Sequence, residues 1–540
     1  MEGGLKVSEP SKKLFQIGGA RLPKLSELVE AYDYHPLEIS EGLKGELLQL
    51  QALEKDEINN STDLFLLRKE AMFQLETIDL IRLPSHQVFY ETLEGASEAE
   101  VSILKLKGAQ LVNLTDQGEG LSQFINQNYV KPWGTSLDHR RVEIHPDFEG
   151  TVTKKGSSKV ILEGTFGLDD YQQVLVWKNN WGGSGRVKFY PEISASESVS
   201  YYFRAYFKNN KTNSHSEIIT RDFSAEQIKA GEVFFDLGFS EFPVNFALFI
   251  KGQGKVQVGA LHLRYGLPAE HFLAMGGKRL VQKEQMGEEL GVYFNAGDLK
   301  PPLNVYFSGF RPSEGYEGRW MMGSLGSPFL LVYDPRLVGG AFYRGPELEE
   351  ALAKEIQEKL DLLGFSNKEL VLSGLSMGTY ASFYYGAQLE PHAIVVGKPL
   401  ANIGGLAVNS RIFSPYDWDL AMDTLIHLTG ALTKKSAAAL DEAFWKKFES
   451  ADFSETTFII AHMLQDTDRP FKRIFNHLKQ NYPSAKVLHK GLEGRHNDDT
   501  PGVTSWFYKQ YQQLLISDFD RQLIIDEEAS PINLEGENDE

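Results

Sequence analysis

Short apolar segments alternate with amphipathic segments along most of the chain, and this alternation predicts its secondary structure. Continuous runs of Val, Ile, Leu and aromatic residues predict buried strands. Apolar residues spaced three and four apart, as in 346–363, predict helices with one buried face. Strands that alternate with helices indicate parallel sheets, and changes in this pattern divide the chain into regions.

The first region, residues 14–130, has the pattern of a small N-terminal α/β domain. Strands are predicted at 14–17, 63–67, 87–90 and 109–114, and helices near 70–82 and at 98–107. Gly18 and Gly19 follow the first strand, but the surrounding sequence has neither a G-x-G-x-x-G nor a Walker pattern. A tight turn is therefore favoured over a phosphate loop, and no chemistry is assigned to this region.

The second region, residues 131–268, is predicted to be a β-sandwich that resembles a carbohydrate-binding module. Its strand-like segments are separated by clusters of Gly, Asn and Ser. The predicted strands are 159–162, 173–177, 186–191, 200–207, 233–237 and 256–265. For any one aromatic residue here, filling of the core is the favoured interpretation, and stacking on a sugar is the alternative. The aromatic residues considered are Trp177, Trp181, Tyr201, Tyr202 and Tyr206.

The third region, residues 269–520, is predicted to be an α/β-hydrolase catalytic domain, followed by an acidic tail at 521–540. Residues 266–299 have the pattern of a connector with short helices. Strands are then predicted at 303–307, 329–333, 370–372, 392–396, 456–461 and 485–489, and helices at 346–363, 380–387 and 503–515. The expected fold class is α/β, with an α/β-hydrolase-like catalytic domain, an inserted β-sandwich domain and the small N-terminal domain.

The chemistry is concentrated in a G-x-S-x-G motif formed by residues 374–378. The motif lies between a predicted strand and a predicted helix, which is the context of a nucleophile elbow. Gly374 and Gly378 leave room for the tight turn that presents the Ser376 hydroxyl above the sheet. The N–H of Met377 would then lie at a helix N-terminus, where it can stabilise an oxyanion.

The order of catalytic residues in this fold is nucleophile, acid, histidine, and it selects the general base. His496 follows the last predicted strand in a polar, glycine-bearing loop, and it is the favoured base for Ser376. His462 directly follows a strand and His489 lies within one, so both are expected to be structural.

The acid is predicted in the loop after the strand at 456–461, where two aspartates are candidates. Asp466 and Asp468 could each hold the imidazole in the required tautomer. Asp466 is favoured because it is closer to the end of the strand. The alternative role for Asp468 is to cap a helix that begins near residue 470.

Further site residues are predicted from the loops that follow neighbouring strands. The loop after 303–307 should supply a second oxyanion donor, a backbone N–H near Gly309 or Phe310. Arg311 is placed to bind an anionic or hydroxylated substrate, with a surface ion pair as the alternative. Lys398 is expected to line the pocket, and the alternative is that it caps a carbonyl group.

Composition restricts the partners and the compartment. The 540 residues carry a net charge of −19, which argues against a general nucleic-acid binder. The chain has no apolar run of about 18 residues and no N-terminal segment with the apolar core of a signal peptide. It has no cysteine, which excludes disulfides, thiolate metal sites and cysteine nucleophiles. We therefore expect a cytoplasmic protein without a metal site.

Segments throughout the chain carry a resemblance to one family. They are LFQIGG at 14–19, KPWG at 131–134, EGTFG at 163–167, VLVWKNN at 174–180, and NVYFSGFRPSEGYEGRWMM, SPFLLVYDPRLVGGAFY, GFSNKELVLSGLSMGTY and VVGKPLANIGG between 304 and 405. Together they resemble the second accessory secretion protein of the accessory Sec system of Gram-positive bacteria.

The resemblance implies a cytoplasmic protein, held at the membrane through an export complex with sister accessory secretion proteins and a motor ATPase. It also implies an O-acetyltransferase that acts on N-acetylglucosamine of serine-rich-repeat adhesins, with Ser376, Asp466 and His496 as catalytic residues. No bound cofactor is implied, and acetyl-CoA is a candidate acetyl donor. A carbohydrate esterase with the same residues and a non-catalytic scaffold of the export complex are the alternatives.

Overall fold

The computed structural model describes most of the chain, in two compact units. The described residues are 12–37, 62–72, 77–130, 133–178, 181–182, 185–208, 218–231, 233–237, 243–282, 286–311, 313–413 and 418–523. The first unit comprises residues 12–130, Phe294–Pro301 and Met322–Phe329, and the other described residues form the second. Residues 524–540 of the predicted acidic tail lie outside the described part. The sandwich and hydrolase segments share the second unit, so the boundary between residues 268 and 269 stays a prediction.

The first unit contains a small parallel sheet with helices. Its strands are β1 (Lys13–Ile17), β2 (Asp33–Leu37), β3 (Leu64–Leu67), β4 (Val88–Tyr90) and β5 (Gln110–Leu111), in the order β2-β1-β3-β4-β5. Its helices are α1 (Pro23–Leu28), α2 (Lys69–Met72), α3 (Thr77–Arg82), α4 (Glu98–Leu106) and α5 (Glu119–Asn128). Gly18 and Gly19 have φ of 80° and 67°, and the buried Gln16 amide donates to both carbonyls, at 2.9 and 3.2 Å. This is the tight turn that the sequence favoured.

The β-sandwich is built around two unusually long strands. Its elements are β6 (Gly134–Leu137), β7 (Val142–Ile144), β8 (Thr151–Lys155), β9 (Lys159–Trp177), β10 (Trp181–Gly182), β11 (Arg186–Ala195), β12 (Val199–Lys208), β13 (Ile218–Ser224), β14 (Phe234–Asp236), β15 (Pro243–Tyr265) and α6 (Ala225–Ala230). β15 pairs with β6, β9, β10, β11 and β12. The register between β9 and β15 shifts around Gly252, whose φ is 107°, and such bulges bend paired strands. The two strands predicted at 159–162 and 173–177 are therefore one bent strand.

The third sheet has the strand order of an α/β-hydrolase, which confirms the predicted fold class. Its strands are β16 (Gly277–Val281), β17 (Glu289–Asn295), β18 (Leu303–Phe307), β19 (Phe329–Tyr333), β20 (Leu370–Leu375), β21 (Ala393–Gly397), β22 (Thr457–Met463) and β23 (Val487–Leu492). Their order is β16-β17-β19-β18-β20-β21-β22-β23, with β16 antiparallel to β17 and the strands from β18 through β20 to β23 parallel. The carboxyl ends of these parallel strands share one edge, where ligand sites form in such sheets.

Helices cover the third sheet and also extend from it. They are α7 (Arg319–Ser324), α8 (Arg336–Gly339), α9 (Pro346–Leu363), α10 (Met377–Leu389), α11 (Ile403–Phe413), α12 (Ala421–Thr429), α13 (Lys434–Glu449), α14 (Phe471–Asn481) and α15 (Thr500–Phe519). Helix α9 has the predicted bounds and ends at Gly364, whose φ is 72°. None of the helices in the described ranges combines the length and the apolar composition that crossing a membrane requires.

The prediction of a helical connector at 266–299 is wrong, because this segment supplies β16 and β17. Their apolar pattern is interrupted by charged residues that the fold pairs. Arg279 forms an ion pair with the buried Glu289 on the neighbouring strand, and Lys278 pairs with Glu355 on α9. Such long-range pairing is invisible in a single sequence window.

Helices α11, α12 and α13 form a helical cap between β21 and β22. The turn between β8 and β9 of the sandwich contacts this cap. The Ser157 N–H donates to Asp423 Oδ1 at 2.5 Å, and Ser158 Oγ lies 3.3 Å from His427 Nδ1. A Cβ added to Gly156, whose φ is 54°, would lie 1.9 Å from Asp423 Oδ1, so only glycine fits this contact.

Candidate active site

Ser376 occupies a strained turn between β20 and α10. Its φ of 50° and ψ of −116° are unusual for a residue with a side chain, and such strain is concentrated at functional sites. A Cβ added to Gly374 would lie 2.5 Å from the carbonyl carbon of Gly378. A Cβ added to Gly378 would lie 2.0 Å from the carbonyl oxygen of Phe307 on β18. Both glycines of the motif are therefore required by space.

Backbone and side-chain hydrogen bonds hold this turn in place. The Ser376 N–H donates to the Gly397 carbonyl at 2.9 Å. The Thr379 hydroxyl donates to the Ser376 carbonyl at 2.6 Å and accepts the Leu400 N–H at 2.9 Å. Thr379 is fully buried and was not predicted, although a threonine in the first turn after the nucleophile is a usable signal. The serine is thus fixed from both sides.

Ser376, His496 and Asp466 form one hydrogen-bonded chain. Ser376 Oγ lies 2.8 Å from His496 Nε2, and His496 Nδ1 lies 2.7 Å from Asp466 Oδ2. The other oxygen of Asp466 accepts the Thr467 N–H at 2.7 Å. The Asp466 carboxylate fixes the tautomer with hydrogen on Nδ1, so Nε2 can accept the serine proton. The structure therefore brings together the three residues that the sequence favoured.

The loops that carry the acid and the histidine are bonded to each other. The Leu464 N–H donates to the Leu492 carbonyl at 2.8 Å, and the Gln465 N–H donates to the Gly494 carbonyl at 3.0 Å. The Gly494 N–H donates to the Gln465 side chain. These bonds continue the pairing of β22 with β23 beyond the sheet, so the distance between Asp466 and His496 is set by backbone structure.

Asp468 has a structural position instead. Its carboxylate accepts the backbone N–H groups of Ala401 and Asn402 at 2.7 and 2.8 Å, and the Asn402 amide at 2.7 Å. Burial raises the pKa of Asp468, and the nearby charge of Asp466 adds to this, while the three hydrogen bonds oppose it. The predicted cap of a helix near residue 470 needs correction: Asp468 binds the segment that leads into the helical cap, whereas α14 begins after Pro470 without a side-chain cap.

The two candidate sources of an oxyanion hole lie close together at the end of β18 and the start of α10. Met377 is the first residue of α10, where backbone N–H groups have no partner within the helix. The Gly309 N–H donates to Glu317 Oε2 at 2.6 Å, so the prediction of Gly309 as a donor must be corrected. The N–H of Phe310 is then the candidate from this loop. Glu317 itself was not anticipated, because its contact with Gly309 depends on how the loop closes.

Lys398 is buried below the histidine loop. Its side chain is 6% exposed, and Nζ donates to Thr500 Oγ1 at 3.1 Å and to Asn497 Oδ1 at 3.4 Å. Burial lowers the pKa of Lys398, while the carboxylates of Asp466 and Glu317 oppose that shift. Its predicted contact with substrate stays a prediction, as does that of the partly buried Arg311.

His462 and His489, the two histidines that were expected to be structural, pack in an aromatic stack. The ring of His462 lies 4.1 Å from that of Phe471, and the ring of His489 lies 4.6 Å from the same ring. Burial lowers the pKa of His462 to about 4, and the adjacent His489 adds to this shift. Both histidines therefore have a packing role in this structure.

Comparison with known proteins assigns the chain to a family. Residues 12–521 match the family described as "Accessory Sec system GspB-transporter". An accessory Sec system protein from Streptococcus gordonii is 35% identical over 448 residues, which cover 82% of this chain and 86% of that protein. The protein of the same name from Staphylococcus aureus (strain NCTC 8325 / PS 47) is 35% identical over 395 residues, covering 72% and 74%.

A solved structure supports the same assignment. In the Glycosylation Associate Protein (Gap123) complex from Streptococcus agalactiae, one chain is 31% identical to this one, with a TM-score of 0.78. The match covers 95% of this chain and 100% of that chain. The similarity therefore extends over both units and confirms the resemblance seen in the sequence.

Proposed function

The chain belongs to the GspB-transporter family of the accessory Sec system, and from this premise we propose that it is an O-acetyltransferase with a serine nucleophile, acting on the glycan of an exported adhesin. The observation that carries the proposal is the hydrogen-bonded chain from Ser376 Oγ through His496 to Asp466, set on a strained turn. The acceptor is N-acetylglucosamine on a serine-rich-repeat adhesin, and the donor is an acetyl thioester such as acetyl-CoA. We place the reaction in the cytoplasm.

In the first half-reaction, His496 Nε2 takes the Ser376 proton while Oγ attacks the acetyl carbonyl carbon. The N–H groups of Met377 and Phe310 stabilise the oxyanion, each by about 3 kcal/mol. The carbon–sulfur bond then breaks, the thiolate leaves with the proton from His496, and Ser376 carries the acetyl group.

In the second half-reaction, a sugar hydroxyl attacks the acetyl-enzyme. His496 takes the hydroxyl proton, the new sugar ester forms, and Ser376 Oγ regains its proton as it leaves. Water can perform the same attack, so transfer requires that the acceptor be positioned better than water. The segment Ala401–Asn402, which leads into the helical cap, is bonded to Asp468 on the loop of the acid. We propose that the cap closes over the serine when both substrates are bound and keeps water out.

The decisive experiment measures where a labelled acetyl group is transferred. Purified full-length protein is incubated with labelled acetyl-CoA, with or without a GlcNAc-bearing serine-rich peptide, and a Ser376→Ala protein serves as the blank. We expect label on the Ser376 peptide without acceptor and on the sugar when acceptor is present. Release of acetate only, at the same rate with and without acceptor, would identify an esterase. Absence of label together with normal adhesin export by Ser376→Ala cells would identify a scaffold.

The β-sandwich supplies a face on which we propose that the acceptor glycan binds. Strand alternation buries Trp177 and Tyr201 in the core, as favoured from the sequence, and turns Tyr202 to the other side. The Tyr202 ring stacks on Phe249 at 4.8 Å and meets Tyr171 edge-on at 5.0 Å. We call Tyr171, Tyr202, Arg204 and Phe249 the outer aromatic face.

The outer aromatic face also has polar groups that could bind a sugar. The Arg204 guanidinium lies 4.9 Å from the Phe249 ring centre and forms two hydrogen bonds with Asp222, at 2.6 and 2.7 Å. A fixed guanidinium and carboxylate next to aromatic rings offer donors and acceptors for hydroxyl and acetamido groups. Tyr171 is 43% exposed, so its ring is open to a ligand.

Loss of the exposed ring should weaken acceptor binding only. Tyr171→Ala is expected to raise KM for the glycopeptide about fivefold and to leave acetyl-enzyme formation unchanged, because stacking contributes about 1 kcal/mol. Leu111→Ala, at a position 66% exposed in the first unit, is the control. An unchanged KM in Tyr171→Ala would remove the outer aromatic face from the proposal.

We further propose that sister accessory secretion proteins and the motor ATPase of the export system bind this chain. Support for the sister proteins comes from the structural relative, which is described as part of a Gap123 complex. Co-purification from cells that express the accessory proteins tests this assembly. An assembly that survives Ser376→Ala would separate its formation from the chemistry.

A further inference from the structure

Helix α12 of the helical cap contacts both the sandwich and α8 through two neighbouring residues. Asp423 Oδ1 accepts the Ser157 N–H from the turn between β8 and β9, at 2.5 Å. Thr424, the next residue, is fully buried, and its hydroxyl donates to the Gly340 carbonyl at 3.0 Å. Gly340 is the residue that ends α8. One turn of α12 therefore lies between the sandwich and the end of α8.

Buried charges form a second connection between α12 and α8. His427 Nε2 lies 3.3 Å from Glu288 Oε2, which is 3.6 Å from Arg336 Nη1. Arg336 is the first residue of α8, and its guanidinium forms two hydrogen bonds with Asp334, at 2.8 and 2.7 Å. The Gly340 N–H donates to the Arg336 carbonyl at 2.8 Å. Helix α8 is thus held from α12 at both of its ends.

The Phe310 ring lies against Gly340. A Cβ added to Gly340 would lie 3.1 Å from Phe310 Cδ2 and 3.3 Å from Phe310 Cε2, so the ring touches the glycine directly. Phe310 is 43% exposed, and the rest of its surface is open to solvent. We call residues 308–310 the oxyanion loop, because the Phe310 N–H is its candidate oxyanion donor. The support for this ring is therefore the residue that Thr424 holds.

Contact between the ring and Gly340 restricts the direction of the Phe310 N–H. Gly309 has no side chain, so steric contacts only weakly limit rotation of the peptide group that follows it. A side chain packed in one rotamer limits the backbone torsion φ of its own residue, and the N–H lies on that torsion. A donor that points away from the developing oxyanion loses much of its effect. Support of the ring is therefore support of the donor.

We propose that Asp423 and Thr424 are positioning residues for the proposed acyl transfer, on which this inference rests. The turn between β8 and β9 places Asp423, Thr424 places Gly340, and Gly340 supports the Phe310 ring. The sandwich, on which we propose that the acceptor glycan binds, thereby also sets the oxyanion donor. Both residues act through Phe310 and not on the substrate.

Thr424→Val is expected to lower the rate of acylation by p-nitrophenyl acetate about 30-fold with little change in KM, because the Phe310 N–H acts on the transition state. Valine has the shape of threonine but cannot donate to the Gly340 carbonyl. Thr424→Ser keeps the donor and should stay within about threefold of the wild type. Thr429→Val is the matched control, since the Thr429 hydroxyl bonds to the Leu425 carbonyl of the same helix.

Binding of a transition-state mimic separates positioning from packing. Phenylboronic acid forms a tetrahedral adduct with an activated serine and places an oxygen where the oxyanion forms. We expect Thr424→Val to bind this probe about 30-fold more weakly, in proportion to its loss of rate. A lower Tm with unchanged affinity for the probe would identify a role in packing alone and would overturn the inference.

A double-mutant cycle tests the connection from the sandwich. In Gly156→Ala the added Cβ would lie 1.9 Å from Asp423 Oδ1, so the Asp423 side chain must move. This substitution is expected to lower the acylation rate about tenfold alone and to have little further effect in Thr424→Val, because the same connection is already broken. Asp423→Ala removes the acceptor itself and takes the place of Gly156→Ala if that variant folds poorly.

All measurements use the full-length protein, with a serine-directed fluorophosphonate as a second probe of Ser376. Losses that do not multiply in the cycle, together with weaker binding of phenylboronic acid, support the inference. Losses that multiply overturn it and leave the acetyltransferase intact. A wild-type protein that reacts with neither p-nitrophenyl acetate nor the fluorophosphonate overturns the proposed function, and this inference with it.

Discussion

Asp466→Asn is expected to lower kcat for acetyl-enzyme formation by about 10⁴-fold. An amide at this position offers its NH₂ group or its oxygen to His496 Nδ1, and the carboxylate charge that stabilises the imidazolium is lost. The imidazole can then adopt the tautomer with hydrogen on Nε2, which cannot accept the Ser376 proton. The measurement is the pre-steady-state burst with p-nitrophenyl acetate, with folding monitored by thermal unfolding.

Asp468→Asn is the matched control, since it lies two residues away and is equally buried. Its carboxylate oxygens bind Ala401 and Asn402, so we expect a loss of about 1–3 kcal/mol in unfolding free energy and a much smaller loss of kcat. Equal losses of kcat in the two variants would show that the loop as a whole, and not the carboxylate at His496, determines the rate.

Gly378→Ala is expected to reduce the reactivity of Ser376 by about 10²- to 10³-fold. The added Cβ would lie 2.0 Å from the Phe307 carbonyl oxygen, and a backbone atom cannot rotate away as a side chain does. The start of α10 must therefore move away from β18, which separates the Met377 N–H from the Phe310 N–H. Overpacking of this kind also costs about 1–3 kcal/mol of stability.

Fluorophosphonate labelling measures this change, with Gly323→Ala as the control. A Cβ at Gly323, within α7, meets no heavy atom within 4 Å, so this substitution should be neutral or slightly stabilising. Wild-type labelling in Gly378→Ala would contradict the close packing between the nucleophile turn and β18.

The candidate site was largely predictable because its parts are local. A strand, a G-x-S-x-G turn and a helix are adjacent in sequence, and the chain order of the fold then selects Asp466 and His496 from the loops that follow. The choice between Asp466 and Asp468 needed the structure, because it depends on which of the two carboxylates accepts hydrogen bonds from the segment before α11. Glu317 could not be found, because its role depends on a loop that closes over eight residues.

The fold shows the same contrast between local patterns, which the sequence reveals, and distant contacts, which it does not. Continuous apolar strands such as β18 and β19 are visible in the sequence because both faces are buried. Strands β16 and β17, at one end of the sheet, carry charges that only tertiary pairing satisfies, so their pattern resembles a connector. In the sandwich, the aromatic residues could have been sorted by alternation: Tyr201 is buried and Tyr202 is not.

The turn between β8 and β9 has a consequence for how this architecture can be rebuilt. The Ser157 N–H bond to Asp423 and the exclusion of a side chain at Gly156 link the sandwich to the helical cap through a handful of atoms. A chimera that exchanges the sandwich alone would leave Asp423 without its backbone donor. A chimera that exchanges the sandwich between related proteins must therefore take the β8–β9 turn and α12 from the same parent.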